Sequence, residues 1–338
     1  MRRAVRSAAA AVLERSAAVH TLTGALDRAS RGRPDVLGVL TFHRVGRPEE
    51  TPWLHPGLVS ATPESFAEQM ELLASRYRVV PLDEVVEARR RRSLVPPRSV
   101  MVTFDDAYTD FADHAWPVLR SLGLPVTLFV PTAFPGDPQR RFWWDRLHHS
   151  FHATLRRSPL DTVAGPLPMT TDADRMRSCA TVRRHLKVVP HSLLQAEVGR
   201  LEAVLDPPPA PPGPVLGWEQ LNRLAGEGVT MAAHTRTHPQ LDRLPREHLR
   251  DEISGSIEDL SLHTGRAASA FAYPGGAFDE EVVRAVEEAG VALGFTTRPG
   301  LNNLRRGRWL RLRRINVGRG TSPSLLRLRL LPARVHVH

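Results

Sequence analysis

Cysteine is almost missing. The 338 residues include one, Cys179, which excludes a disulfide framework within the chain and any metal site built from several thiolates. Lysine is equally scarce: Lys187 stands alone among 46 basic residues, leaving 45 arginines, a skew that a GC-rich genome produces without selection for arginine chemistry. No apolar run approaches the roughly 18 residues a membrane-spanning helix needs. Acidic residues stop at Glu288, while eleven arginines lie between Arg298 and Arg334.

What is present is ordinary for a folded chain. Hydrophobic residues make up 41% and charged residues 24%, enough for a sizeable core, and this excludes a disordered or collagen-like polypeptide. The formal net charge of +10 and the acid-free end suggest an anionic partner, membrane lipid or polyphosphate, or else a solvated basic surface. Nucleic acid is not expected, and the sequence does not state an oligomeric state. Arg2, Arg3 and Arg6 followed by Ala8 to Leu13 imitate a signal peptide, but Glu14 and Arg15 end the apolar run after six residues. Residues 1–33 therefore read as a basic amphipathic helix. The expected location is the cytoplasm, at the inner membrane face if the basic ends bind lipid.

Short, continuous apolar runs recur along the chain: Val36 to Phe42, Ser99 to Phe104, Pro125 to Val130, Gly228 to Ala233, Ala268 to Tyr273 and Ala292 to Thr296. Runs that do not alternate suit strands buried on both faces. Helical patterns separate them, at 63–76 (with Thr62 as N-cap), 108–122, 218–227, 246–264 and 279–290. Strand, helix and strand in repetition give an α/β fold with a parallel sheet. Residues 135–217 break the rhythm as an insertion containing Phe142-Trp-Trp-Asp145, closed by the proline run 206–213, which reads as a stiff linker. The expected organisation is the N-terminal helix at 1–33, the main domain at 34–320 and a basic tail at 321–338. In that tail, Ser324 to Leu331 mixes leucine with arginine and suits either anionic lipid or packing on the domain.

Polar residues gather at strand ends: His43, Thr103-Phe-Asp-Asp106, His234-Thr-Arg-Thr-His238 and Tyr273-Pro-Gly-Gly276. In parallel barrels such ends share one mouth. Neighbouring side chains on an extended backbone point oppositely, so one of Asp105 and Asp106 can bind a cation while the other faces elsewhere. Alternatively Asp106 caps the next helix. Two imidazoles and a carboxylate make the ligand set of an open catalytic zinc site. The His-x-x-x-His spacing alone is weak, since His148 and His152 repeat it inside the insertion.

Together these segments resemble the three motifs of the polysaccharide deacetylase (NodB-homology) family, in order: Thr103 to Asp106, His234 to His238 and Phe271 to Gly276. The likeness runs from about Val36 to Gly318. Leu40-Thr-Phe-His-Arg-Val45 resembles the lead-in of the branch acting on exopolysaccharides and lipid-linked sugars. The resemblance implies a distorted parallel (β/α) barrel of about seven strands. It also implies a divalent cation, zinc by preference, on Asp106, His234 and His238, with Asp105 as general base and the Gly275 N–H at the oxyanion. The chain departs from the common pattern in three places. Arg314-Ile-Asn-Val317 lacks the usual late histidine, a role the branch gives to a first-strand histidine, here His43. Ala272 replaces an arginine that orients the base, and Gly275 replaces an aromatic residue. Tyr273, Trp143 and Trp144 are the expected substrate contacts, the tryptophans either stacking on sugar or anchoring the insertion. The expected activity is hydrolysis of N-acetyl groups on a polysaccharide or glycolipid precursor. The competing readings are a non-catalytic carbohydrate-binding scaffold and a deacylase for another group, such as formyl.

Overall fold

The computed structural model describes residues 35–331. The expected helix at 1–33 and the last residues of the tail lie outside them. Six apolar runs form the parallel strands: β1 (Val36–Phe42), β5 (Ser99–Phe104), β6 (Thr127–Val130), β9 (Thr230–Ala233), β10 (Ala270–Ala272) and β11 (Leu293–Phe295). Apart from Thr230 and Met231 in β9 and Val36 at the start of β1, their residues are buried, as continuous apolar runs require when helices cover a sheet. Short β4 (Arg78–Val79), β12 (Asn302–Asn303) and β13 (Ile315–Asn316) complete the sheet. Its main path runs β11-β10-β9-β6-β5-β1-β12, with β4 on β5 and β13 on β1, and it curls into a half-barrel. Two further two-strand pairs lie off this sheet, β2 (Arg44–Val45) with β3 (Val59–Ala61), and β7 (Leu160–Thr162) with β8 (Gly165–Leu167) in the insertion.

The segment 309–316 brings the two edges together. Leu312 bridges Phe295 of β11, and three residues later Ile315 pairs with Leu40 of β1. Gly294 makes this approach possible, since a Cβ there would lie 2.5 Å from the Leu310 carbonyl oxygen. A side chain at 294 would push the closing segment, and Arg314 with it, away from the barrel.

Helices α1 (Pro63–Arg76), α2 (Leu82–Arg91) and α3 (Trp116–Ser121) belong to the first half of the chain. Thr62 caps α1, accepting from the Ser65 N–H at 3.3 Å. The expected helix at 108–122 is a π-turn over Phe111–Ala115 followed by α3. Pro117, which has no N–H to continue the ladder, accounts for the break. Three helices of the insertion follow: α4 (Trp143–Ala153), α5 (Asp172–Leu186) and α6 (His191–Leu205). They enclose their own core around Leu147, Phe151, Val182 and Leu201. Cys179 is buried there, and burial pushes its thiol up to about 12. The proline run is strapped down rather than free. Gly213 N–H donates to Pro138 O, and Arg141 donates to Ala210 O at 2.8 Å.

The remaining helices are α7 (Trp218–Gly226), α8 (Leu249–Thr264), α9 (Glu280–Glu288) and α10 (Pro323–Arg329). Helix α10 packs on α1, and buried Leu330 approaches β1 where Gly38 leaves room for it. This part of the leucine–arginine tail is therefore a packed element. No helix among the described residues is long and apolar enough to cross a membrane.

Candidate metal centre

Strand β5 continues its ladder through Asp105, whose N–H donates to Phe42 O at 2.9 Å. The chain then turns sharply, with Asp106 at φ +73° and Ala107 at φ +51°. After β9, Thr235 (φ +65°) and His238 (φ +60°) adopt the same region. Such backbone costs on the order of 1–2 kcal/mol per non-glycine residue. Four of the seven non-glycine residues in this region among those described are at this one site. Strain concentrated this way marks a place where side-chain direction outweighs local stability.

The cost is met by clamps from neighbouring elements. Glu252 on α8 accepts from the N–H groups of Arg236 and Thr237, both at 2.9 Å. Asp259 holds the Arg236 guanidinium at 2.9 Å through two nitrogens. Thr132, just after β6, donates its N–H to Thr235 O at 3.1 Å. The His-Thr-Arg-Thr-His loop is thus fixed from both sides.

Within this frame Asp106, His234 and His238 place one ligand atom each within 4.8 Å of one another. Asp106 Oδ1 lies 3.5 Å from His234 Nε2 and 3.3 Å from His238 Nε2. A tetrahedral zinc site with bonds near 2 Å separates its ligand atoms by roughly 3.3 Å. Asp106 Oδ1 is buried and has no hydrogen-bond partner, an arrangement that disfavours an apo resting state and suits a cation. His234 Nδ1 is 2.8 Å from Ala272 O. That bond assigns the proton to Nδ1 and leaves Nε2 facing Asp106. Burial alone would raise the Asp106 carboxyl, but the charge of His238 and contacts with both imidazoles hold it well below the carboxylate range. Burial likewise opposes charge on His234, yet Asp106 and Asp105 outweigh it and raise the imidazole. Asp106 does not cap the following helix, so the capping alternative fails on geometry.

Asp105 lies beside the triad, its Oδ2 4.0 Å from His234 Nε2. Its two oxygens receive Arg314 Nη1 at 2.7 Å and Nη2 at 2.8 Å, while Arg314 Nε donates to Thr296 O at 2.8 Å. Arg314 is 1% exposed. Burial would raise Asp105; Arg314 and the imidazoles reverse that and keep it below the ordinary carboxylate value. The orienting partner that Ala272 cannot supply thus comes from elsewhere in the chain. The arginine missing at Ala272 is supplied by Arg314 of the closing segment, 209 residues from Asp105 along the chain. The motif that lacks a histidine carries the partner of the base instead.

The other expected residues divide. His43 is half-buried where β1 ends, its N–H donating to Ser60 Oγ at 3.0 Å. Burial lowers its imidazole against the pull of Asp106 and Asp105, which places the ring in the electrostatic field of the triad. Its neighbour Arg44 anchors this corner to Asp110 at 2.8 Å and Thr51 at 2.9 Å. Gly275 is exposed on a left-handed turn (φ +60°) beside Gln240, two residues beyond His238. Tyr273 does not face a substrate. Its ring is fully buried and its hydroxyl donates to Leu310 O at 2.9 Å, so it braces the closing segment. Trp143 is also corrected as a stacking platform, because 91% of its surface is buried, largely in the insertion's core. Trp144 stands edge-on to His238, ring centroids 5.0 Å apart. Its Nε1 donates to Tyr108 Oη at 3.0 Å, and that hydroxyl donates to Asp145 at 2.6 Å. Asp145 reaches neither the ligand triad nor open solvent.

A polysaccharide deacetylase family model matches residues 93–294 of the chain. The chain belongs to the polysaccharide deacetylase family. His43 and Arg314 both lie outside the matched span. Among curated relatives, YxkH of Bacillus subtilis, whose name assigns it to the polysaccharide deacetylases, is 22% identical over 67% of this chain and 54% of its own length. The poly-β-1,6-N-acetyl-D-glucosamine N-deacetylase of Escherichia coli is 27% identical over 32% of this chain and 19% of its own length. The chain thus spans about half of the first relative and a fifth of the second. In fold, it resembles a Streptococcus pyogenes deacetylase solved with acetate, with TM-score 0.60, 20% identity, and coverage of 88% of this chain and 99% of that one. It also resembles IcaB from Ammonifex degensii, with TM-score 0.58, 18% identity and coverage of 88% and 98%.

Proposed function

We propose that this protein hydrolyses the N-acetyl group of an amino sugar within a polysaccharide or lipid-linked glycan, using a divalent cation, zinc first, on Asp106, His234 and His238. The observation that carries the reading is the pairing of roles at one strand end: a buried Asp106 oxygen without a hydrogen bond, 3.5 and 3.3 Å from two imidazole nitrogens, beside an Asp105 held by Arg314. A cation bound there supplies the charge that acidifies water and polarises an acetamide carbonyl.

The chain's own groups supply the proton traffic. Arg314 keeps Asp105 ionised and fixes its direction, so its carboxylate can accept a proton from the attacking water. The Gly275 N–H donates to the developing oxyanion. His43 relays to the departing sugar nitrogen the proton that Asp105 has taken from water, which returns both groups to their starting states. The products are acetate and a free amine. Water addition is favoured over a binding-only role because a scaffold has no use for an aligned, buried base next to a ligand triad.

The test is acetate release from an N-acetylglucosamine oligomer by protein freed of metal with a chelator and then given zinc. Zinc-dependent release supports the reading. No release with zinc, cobalt or nickel, with the fold intact, refutes it, and release only from an N-formyl analogue would redirect it to another acyl group.

A further inference from the structure

A cleft of about 420 Å³ opens beside the metal centre, from Thr237 and His238 towards the insertion. Its polar wall carries Arg140, Arg141, Gln195 and His191, and its apolar side is formed by the largely buried rings of Phe134, Phe142 and Trp143. Three arginines border it against one acid, Asp137. They are not equally committed. Arg146 is held by Glu202 at 3.0 Å and Gln195 at 3.2 Å. Arg141 uses one amino nitrogen on Ala210 O, while its Nε is buried with no partner. Arg140 is 41% exposed, 3.7 Å from Asp137, its guanidinium 5.8 Å above the Phe134 ring.

We propose that this cleft binds an anionic group carried by the substrate next to the N-acetylated sugar, a uronate carboxylate or a phosphate. The inference rests on the deacetylase reading above and narrows its substrate class. A guanidinium fork matches both anions in a way a neutral hydroxyl does not. Sugar hydroxyls can accept from these arginine donors, but only an oxyanion also offsets the local excess of positive charge left by three arginines against one acid. Because His238 borders the same cleft, a group one sugar away from the reacting amide reaches it without leaving the mouth.

Three probes decide it: a neutral β-1,6-N-acetylglucosamine pentamer, a hyaluronan tetrasaccharide with alternating uronate, and N-acetylglucosamine linked by diphosphate to a short polyprenol. Acetate release is compared at about 20 mM and about 300 mM salt, where screening differs strongly. At least one anionic probe is expected to exceed the neutral one in kcat/KM by about tenfold at low salt. The Arg140→Gln/Arg141→Gln double variant should bring that ratio close to one, as high salt should in part. Preference for the tetrasaccharide assigns the cleft to a uronate, and preference for the polyprenol probe assigns it to a carrier phosphate. A neutral probe that matches or beats both, or a ratio the variant leaves unchanged, overturns the proposal. Fluorescence titration with both anionic probes runs alongside and does not depend on turnover. If no probe is deacetylated, the deacetylase reading fails, while weaker binding of either anion to the variant still supports the subsite and equal binding of both overturns it.

Discussion

Two histidine pairs with identical spacing lie in this chain and behave differently. His234 and His238 sit on a clamped loop at the end of β9, and both Nε2 atoms converge on Asp106 Oδ1. His148 and His152 sit one helical turn apart on α4, their rings stacked at 5.7 Å. There, His148 Nε2 is taken up by Pro52 O at 3.0 Å, and burial pushes its imidazole down to about 4. The nearby carboxylate, Asp145, is occupied by Tyr108 and the His55 N–H. Spacing brings two imidazoles together in both places; only at the strand end does a carboxylate from another strand, Asp106, bring three groups close enough to hold a cation.

Removing ligands from each pair should separate them most sharply. Asp106→Ala or His234→Ala is expected to abolish stoichiometric metal binding and lower acetate release by roughly a thousandfold or more. His148→Ala should keep the metal and most of the rate, losing on the order of 1–3 kcal/mol of stability from the Pro52 contact. Metal analysis and denaturant unfolding read the two effects. Equal metal loss in both variants would erase the distinction.

The next largest effect concerns the base. Arg314→Met strands a buried carboxylate, and breaking such a pair costs about 3–5 kcal/mol. Metal content should survive, while the acid limb of the pH–rate profile moves upward as Asp105 loses its partner. An unmoved limb would remove Arg314 from the mechanism. His43→Ala, with metal retained, should slow turnover by roughly 10²-fold, as measured by kcat on an oligomer. An unchanged kcat would exclude His43 as the proton donor.

The smallest effect is one of stability against pH. Burial raises Asp145 to about 6 from an unfolded 3.8, so the folded chain holds this proton more tightly than the unfolded one. Stability must then fall as pH rises from about 4 to about 6, by on the order of 2–3 kcal/mol from this group. Asp110, raised to about 6 in the same way, adds a parallel slope. Asp145→Asn should flatten the curve by its own share in chemical denaturation across that range. An identical slope in the variant would show that Asp145 is not buried as an acid.

These contrasts also show what could be read from residues alone. Continuous apolar runs ending in polar motifs are local signals, and they locate β1, β5 and β9 together with His43, the Asp105-Asp106 pair and the His234–His238 loop at their ends. Arg314 carries no such signal. Its meaning depends on a segment that can reach the barrel only where Gly294 leaves space, and that approach is a tertiary fact. Tyr273 was misread for the same reason, because a strand-end tyrosine looks alike whether its hydroxyl meets substrate or the Leu310 carbonyl. Trp143 and Trp144 are adjacent, yet helix geometry turns one into the insertion's core and the other towards His238. Helix α5 did carry a readable start, the reciprocal cap between Thr171 and Asp174, which the proline-rich surroundings obscured.

The most direct test is anomalous diffraction at the zinc edge from crystals of the zinc-treated protein. A single strong peak bounded by Asp106 Oδ1, His234 Nε2 and His238 Nε2, with none between His148 and His152, is the predicted result. A peak at the α4 pair, or none at the strand-end triad, would contradict the account.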